Sequence, residues 1–515
     1  MNKTLKRFLI AAVLFTGLLA ALVLAERGAP DSGIRTLPAA LWYALTTLTT
    51  VGYGDLYPLT PLGRVFGAVL QLGSLGLLAL LISALLTVFR SRLRPMWRLF
   101  FARRMDWFIF TSAEEASQVM ADALLAEKPD RVVIFSLPEV NSSLPGISTS
   151  LTPSELLRLR RSEEGVHLFF LSDSFQQNEA GAAALADTGC RIYCLSPHRP
   201  EQLPDRQLRF DPWEICARLY WHRFPLVNPD EEIWIVGDGR YARALIEQAL
   251  AVNVLSPAQS IRYVLCGDDS DFHRCHPALE PMTESAGADG TKDRLVFHSL
   301  PWNEDAGALC AADRIIFCSD REEENLERVL TLQKYYPVTA QVHARLSLPL
   351  EGAACFGSVR ELYTPDLVMR ARLDRLARQV HENYRAVNGG PRWEELSDFA
   401  RRSNLAAADH WETKLRLLLP GETVLSPTAT LCRRAAAVYA AADEPSRQRF
   451  REIEHIRWMR FHLLQNWRWG PERSNERRIH PMLLPFERLT NEEQAKDDYA
   501  WNLLGAEGIQ VEEGL

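Results

Sequence analysis

The chain has 515 residues, 24% of them charged, with a formal net charge of −7 at pH 7. That balance argues against nucleic-acid binding for the bulk of the chain. All nine cysteines lie at or beyond Cys190, and no two form a Cys-x-x-Cys pair. This fits a reducing compartment and thiols packed as small hydrophobes, not a disulfide framework.

Two apolar runs come first. Residues 8–25 carry no charge, and residues 65–89 are interrupted only by Gln71, Ser74, Ser83 and Thr87. A bilayer core of ~30 Å needs about 20 helical residues, so both runs are long enough to span one. Lys3, Lys6 and Arg7 precede the first run, and Arg90, Arg92, Arg94, Arg98, Arg103 and Arg104 follow the second. Positive charge on both outer flanks places the two termini in the cytoplasm. The first 25 residues also read as a signal peptide ending at Val23-Leu24-Ala25. Cleavage would remove the outer helix of the pair, so a retained span is favoured.

Between the runs lies Thr50-Val51-Gly52-Tyr53-Gly54-Asp55. Gly52 and Gly54 can take positive φ without steric cost, which lets successive carbonyls face one side. Four such strands around an axis can replace the hydration shell of K⁺. Thr50, Val51, Gly52 and Tyr53 are the candidate K⁺-coordinating positions, with Gly54 completing the filter and Asp55 at its outer mouth. Re-entrant backbone of this kind is tolerable only where it lines a protein-enclosed, water-filled path.

Residues 40–64 resemble the pore of the two-helix bacterial potassium channels. The resemblance covers residues 1–90. It implies a pore helix around Leu37–Leu48, an aromatic cuff from Trp42, Tyr43 and Tyr53, a homotetramer, and an inner (plasma) membrane location in a prokaryote. Several such channels carry Glu where this chain has Thr46, so their inactivation behaviour does not transfer. Gly67, Gly73 and Gly76 fall in the second run, where glycine costs a helix roughly 1 kcal/mol against alanine. Gly73 or Gly76 is the expected gating hinge, with helix packing as the alternative.

After a connector at 91–105, strand-like and helix-like segments alternate twice, over 106–230 and 231–385. Expected strands in the first unit are Trp107–Thr111, Val132–Leu137, Val166–Leu171, Arg191–Leu195 and Gln207–Phe210. Those of the second are Ile233–Val236, Arg262–Cys266, Leu295–Leu300, Arg314–Cys318, Thr339–Val342 and Glu361–Tyr363. Each unit ends in a strand, a proline and a helix, Trp213–His222 and Leu367–Asn383. This grammar predicts doubly wound parallel sheets in a tandem Rossmann-like repeat. The second unit carries Gly237-Asp238-Gly239-Arg240 between strand and helix, with Asp268 after the next strand. These are candidates for holding a nucleotide, the alternative being a retained turn with no ligand. The first unit has Thr111 to Ala116, with two carboxylates and no glycine, and is expected to bind none. His273, Cys275 and His276 match no common metal spacing and read as a solvated loop. Behind a two-helix pore, tandem Rossmann-like units resemble the RCK (regulator of K⁺ conductance) domains of ligand-gated prokaryotic potassium channels. That implies a ring of eight units from four chains, pulling on the inner helices.

Residues 386–515 are mainly helical and rich in Trp and Arg. Arg392 to Asn404, Glu454-His-Ile-Arg-Trp458, Asn466-Trp-Arg-Trp-Gly470 and His480-Pro481 resemble the RyR domain over about 381–505. Trp393, Arg401, Asn404, Arg457, Trp458 and His480 are candidates for a pocket that takes a planar anionic ligand. The competing reading makes the tryptophans core and the charges a structural network.

The expected fold is therefore a membrane α-helical two-span pore, cytoplasmic α/β tandem Rossmann-like units and a mainly α-helical RyR domain. The expected function is a tetrameric, potassium-selective channel, not an enzyme, gated by a small nucleotide-type ligand. A signalling or anti-phage defence effector, with membrane depolarisation as its output, is the alternative. A purely assembling C-terminal module is a third.

Overall fold

The computed structural model describes residues 3–49, 51–89, 94–141, 143–198, 206–267, 270–284, 290–298, 301–422, 424 and 427–506. Side chains at 3–9, 11, 48, 270, 271, 283, 284 and 387 and at several positions between 74 and 96 are outside that description. The chain divides into two compact units, Met1–Met105 with Ile134–Ser162, and Asp106–Val133 with Glu163–Leu515.

In the first unit, helices Lys3–Glu26, Leu37–Leu48 and Pro61–Val88 surround a core of Leu22, Ile34, Ala40, Ala44 and Leu70. Thr36 and Thr60 cap the second and third helices, and each has proline in its first turn, where a missing N–H costs nothing. Among the described residues no helix is long and apolar enough to cross a membrane. The long third helix runs unbroken through Gly73 and Gly76.

Twelve strands build two sheets. They are β1 Trp107–Phe110, β2 Val132–Ser136, β3 Ile147–Thr149, β4 Val166–Phe170, β5 Arg191–Leu195 and β6 Gln207–Phe210. The second set is β7 Glu232–Val236, β8 Arg262–Cys266, β9 Arg294–His298, β10 Arg314–Phe317, β11 Gln341–Arg345 and β12 Ala354–Phe356. The sheet orders are β3-β2-β1-β4-β5-β6 and β12-β11-β10-β7-β8-β9. Renumbered within itself, each half reads 3-2-1-4-5-6, the dinucleotide-fold order. The described ladders in both are parallel. Buried runs such as Trp107–Phe110 and Ile233–Val236 explain the continuous apolar strands.

Two expectations fail here. Glu361–Tyr363 is not a strand: Ser358 caps a short helix, Val359–Leu362, by accepting from the Glu361 N–H, and Gly357 at φ +70 turns the chain into it. The sixth strand is Ala354–Phe356. The single helix expected over Leu367–Asn383 is broken at Ala371, φ +43, and resumes as Arg375–Asn388.

The remainder is mainly helical, with Asp398–Asp409, Trp411–Leu418, Ala429–Ala441 and Glu444–Leu464 as its longest pieces, and a short parallel pair of strands, Arg468–Trp469 and Ile479–His480. It is docked on the second sheet's flank by buried polar pairs. Arg460 meets Asp293 at 2.5 Å, both fully buried. Arg218, on the helix Pro212–Arg223, reaches Asp409 at 2.9 Å and Asp374 at 2.7 Å. His276 lies between Glu247 (2.7 Å) and the Leu464 carbonyl (2.9 Å), so it is a buried contact and not part of a solvated loop.

Candidate functional site

Three places gather the residues singled out above. At the first, Val51 N–H and Gly52 N–H both donate to the Thr46 carbonyl, at 3.1 and 3.0 Å, turning the chain off the end of the helix Leu37–Leu48. Gly52 and Gly54 have φ of +54° and +71°. Trp42 Nε1 donates to Asp55 Oδ2 at 3.0 Å, and the Trp42 ring stacks on Tyr53 with centroids 6.0 Å apart. The helix is thus stapled to the loop at two points. Tyr43 accepts from Gln71 Nε2 at 3.0 Å, and a Cβ on Gly67 would lie 3.1 Å from the Tyr43 hydroxyl. Glycine at 67 therefore serves close packing. Thr46 spends its hydroxyl on the carbonyls of Trp42 and Tyr43. Thr50 lies outside the described residues. A Cβ on Gly73 would meet no atom of the described chain within 4 Å; the surroundings of Gly76 are outside the description.

Glu26 was not singled out from sequence. Its buried carboxylate accepts from the Leu59 and Thr60 N–H groups and the Thr60 hydroxyl, at 3.1, 3.0 and 2.7 Å. A Cβ on Gly63 would sit 1.8 Å from Glu26 Oε1, so this acid fits only over glycine. It ties the end of one helix to the N-terminus of another, where negative charge is favourable. The legible signal was a lone acid closing an apolar run, with Thr60-Pro61 downstream.

The second place is the crevice of the second sheet, between β7 and β10. A Cβ on Gly237 would lie 2.7 Å from the Ser319 N, and one on Gly239 2.6 Å from the Asp320 carboxylate. Asp320 Oδ1 accepts from the N–H groups of Arg240 (3.2 Å) and Tyr241 (3.4 Å). The first donors of the helix Arg240–Val252, where a phosphate would bind, are therefore engaged by an internal acid. Burial pushes the Asp320 carboxyl up, against those two N–H groups. The Arg240 guanidinium lies over Phe175 and Trp213, at 4.4 and 4.7 Å. A cavity of about 880 Å³ opens here, lined by Gly237–Arg240 on one side and by Arg402, Phe461 and Arg478 of the C-terminal region on the other. Asp268 lies outside the described residues.

The third place is a cavity of about 760 Å³ within the C-terminal region. Asn404, Trp458 and His480, three of the six residues singled out in the sequence, line it together with Phe399, His462 and Trp467. Trp458 lies 4.0 Å from His462 and 4.9 Å from His480, and Phe399 lies 5.0 Å from Trp467, by ring centroids. Burial lowers the His462 imidazole to about 3 and lowers His480 as well, so both rings are neutral walls. Arg473 and Arg478 also line it, as does Asp398, which pairs with Arg402 at 2.8 Å.

Trp393, Arg401 and Arg457 do not belong to that lining. Trp393 packs among Ala377, Leu396, Leu405 and Ala408. Arg401 is buried and donates to the Leu396 carbonyl at 3.0 Å. Arg457 donates twice to Glu454 Oε1, at 3.0 and 2.7 Å, and Lys414 takes the other oxygen at 2.8 Å. Burial works against that carboxylate, but Arg457 and Lys414 hold it well below the usual range. Helical spacing could have given His462, one turn beyond Trp458.

Residues 8–91 match the ion channel family model, and residues 440–504 match the RyR domain model. The potassium voltage-gated channel protein shk-1 of Caenorhabditis elegans is 40% identical over 90 residues, and a voltage-gated potassium channel of Aeropyrum pernix is 40% identical over 85. These alignments cover 18% and 16% of this chain, which spans only 16% and 29% of the two relatives. Among solved structures, the GsuK channel is 15% identical with a TM-score of 0.36, covering 72% of this chain and 100% of that one. The GsuK channel bound to NAD is 13% identical with a TM-score of 0.33, covering 73% and 86%. Scores at that level define no shared architecture.

Proposed function

We propose that four copies of this chain form a potassium-selective channel in a prokaryotic inner membrane, with both termini cytoplasmic. The observation that carries the reading is the loop 51–55. Two glycines at positive φ follow a short helix that is stapled to the loop through Trp42, Tyr53 and Asp55. A strand with that backbone can turn successive carbonyls toward one axis, where four chains would replace the water shell of K⁺. Membrane insertion rests on the uncharged run 8–25 and the long apolar run 65–89. No chemical step is assigned to the chain.

The opening equilibrium is read as set by the cytoplasmic part. The aromatic cavity of Asn404, Trp458, His462, Trp467 and His480 suits a planar ligand, with Arg473 and Arg478 for its negative charge. A nucleotide-derived molecule has that chemistry. Such a ligand shifts the equilibrium only by binding one state more tightly. The pairs Arg460–Asp293 and Arg218–Asp409 give it a rigid path into the Rossmann-like units.

The test uses proteoliposomes loaded with K⁺ or Na⁺. The natural chain is expected to pass K⁺ at least about tenfold faster than Na⁺, and Gly52→Ala to lose that preference. An unchanged preference in Gly52→Ala would sink the assignment. Calorimetry of the full chain against a nucleotide panel, repeated with Trp458→Ala, tests the cavity; heat that survives the substitution puts the ligand elsewhere.

A further inference from the structure

Beyond the second apolar run, residues 90–105 contain six arginines and no acid. The helix Arg94–Phe101 packs against the helix Pro153–Arg160 and strand β3, with Leu99 fully buried. Arg160 Nε also donates to the Arg103 carbonyl at 3.3 Å. One side of this segment is thereby fixed. The other carries Trp97, Phe100 and Phe101 at one-turn spacing, and they are 67%, 56% and 76% exposed. These rings touch one another: Trp97 and Phe101 have centroids 6.5 Å apart, and Phe100 and Phe101 5.6 Å. The Arg103 guanidinium covers Phe100 at 4.4 Å. Three large aromatic rings bare on a helix would be an aggregation hazard in water.

We propose that the face formed by Trp97, Arg98, Phe100, Phe101, Arg103 and Arg104 docks on the anionic surface of the cytoplasmic leaflet. Charge complementarity selects this occupant. A short helix with aromatic rings on one face and arginine at its edges, in a segment 90–105 that carries no acid, has the composition of an interfacial anchor. Arginine forks onto lipid phosphates, while tryptophan sits at headgroup depth. The position in the chain agrees, because the segment begins within a few residues of the end of the apolar run 65–89. In this arrangement the leaflet holds the connector between the pore segment and the cytoplasmic units, so lipid charge acts on the opening equilibrium. The proposal rests on the membrane reading above.

The test is made on the full chain in nanodiscs of phosphatidylcholine alone and of phosphatidylcholine with phosphatidylglycerol at about 3:1. With brominated acyl chains, tryptophan quenching is expected to be smaller in Trp97→Phe than in the natural chain. Equal quenching in the two overturns the proposal and indicates that a second copy or another segment covers the face. Quenching needs no ion flow, so this outcome is distinct from failure of the channel reading, which shows as absent K⁺ flux in both lipids. In proteoliposomes of the same compositions, removing phosphatidylglycerol should change K⁺ flux at least about fivefold in the natural chain, and less than about twofold when Arg98, Arg103 and Arg104 are all changed to Gln. The same fivefold response in the triple variant also overturns the proposal.

Discussion

The two Rossmann-like halves share a topology and a staple, yet they close their crevices with opposite polarity. In the first, Asn178 exchanges hydrogen bonds with Ser172 N–H and C=O and donates to the Leu195 carbonyl. In the second, Asn325 does the same with Ser319 and the Arg345 carbonyl. Both follow the pattern Ser-Asp-x-x-x-x-Asn. The difference lies at the helix that follows the first strand. Glu114 stands at its N-cap position in the first half without a side-chain cap bond, and its carboxylate reaches across to accept from the Ser172 hydroxyl and the Asp173 N–H, at 3.1 and 2.5 Å. In the second half the cap is Gly239, and Asp320, the counterpart of Asp173, reaches back to the helix. One half builds its carboxylate into the turn; the other deletes the side chain there and borrows an acid from across the crevice. An anion at the helix Arg240–Val252 would therefore have to displace Asp320 from the Arg240 and Tyr241 N–H groups.

Four experiments sharpen or break that comparison. Asn178→Ala and Asn325→Ala each leave buried backbone groups unpaired and should cost about 3 kcal/mol of local stability. Hydrogen-exchange mass spectrometry of the peptides around each staple reads this, and a large loss in one half alone would break the equivalence. Gly239→Ala meets both φ +109 and the Asp320 carboxylate, and should cost roughly 2 kcal/mol by the same measurement. Asp320→Ala should loosen the helix by about 1 kcal/mol and raise the affinity of the second half for a fluorescent nucleotide, whereas Asp173→Ala should not. Equal nucleotide binding by both variants would end the claimed asymmetry.

The smallest effect is pH. His343, in β11, is lowered to about 3 by burial, with Arg314 and Arg223 adding to it. Its folded value lies below the ordinary 6.5, so stability is complete above that pH and is lost as pH falls toward 3. Between pH 7 and 6 the second half should lose less than about 1 kcal/mol through this group, and His343→Phe should flatten that slope in the exchange data.

Local patterns were legible and distant pairings were not. Strands such as Trp107–Phe110 and Arg191–Leu195 announced themselves by continuous apolar runs, and the helix Leu37–Leu48 was expected from the resemblance of residues 40–64 to two-helix potassium-channel pores. The strand Ala354–Phe356 is short and sits next to Gly357, so Glu361–Tyr363 drew the expectation instead. In the aromatic cavity, Trp458 and His480 were readable as neighbours in chemistry. Arg457 turns inward instead, to Glu454 three residues earlier in the same helix, and stays out of the cavity lining. The Gly237 loop looked open to phosphate only because Asp320, which accepts from the Arg240 N–H, is 80 residues further along the chain than Arg240. Docking of the C-terminal region through Arg218–Asp409 and Arg460–Asp293 spans separations of 191 and 167 residues, beyond any local periodicity.

The Arg218 pairing has a practical consequence for genetics. A stop codon near Pro391 would delete Asp409 and leave a guanidinium enclosed beside Asp374 with half its partners gone. Such a truncated allele would remove more than the aromatic cavity. It would carry a fault in the trunk of the molecule, and its phenotype would mix that fault with loss of the cavity. Point changes at the aromatic cavity, which spare this junction, are the cleaner alleles.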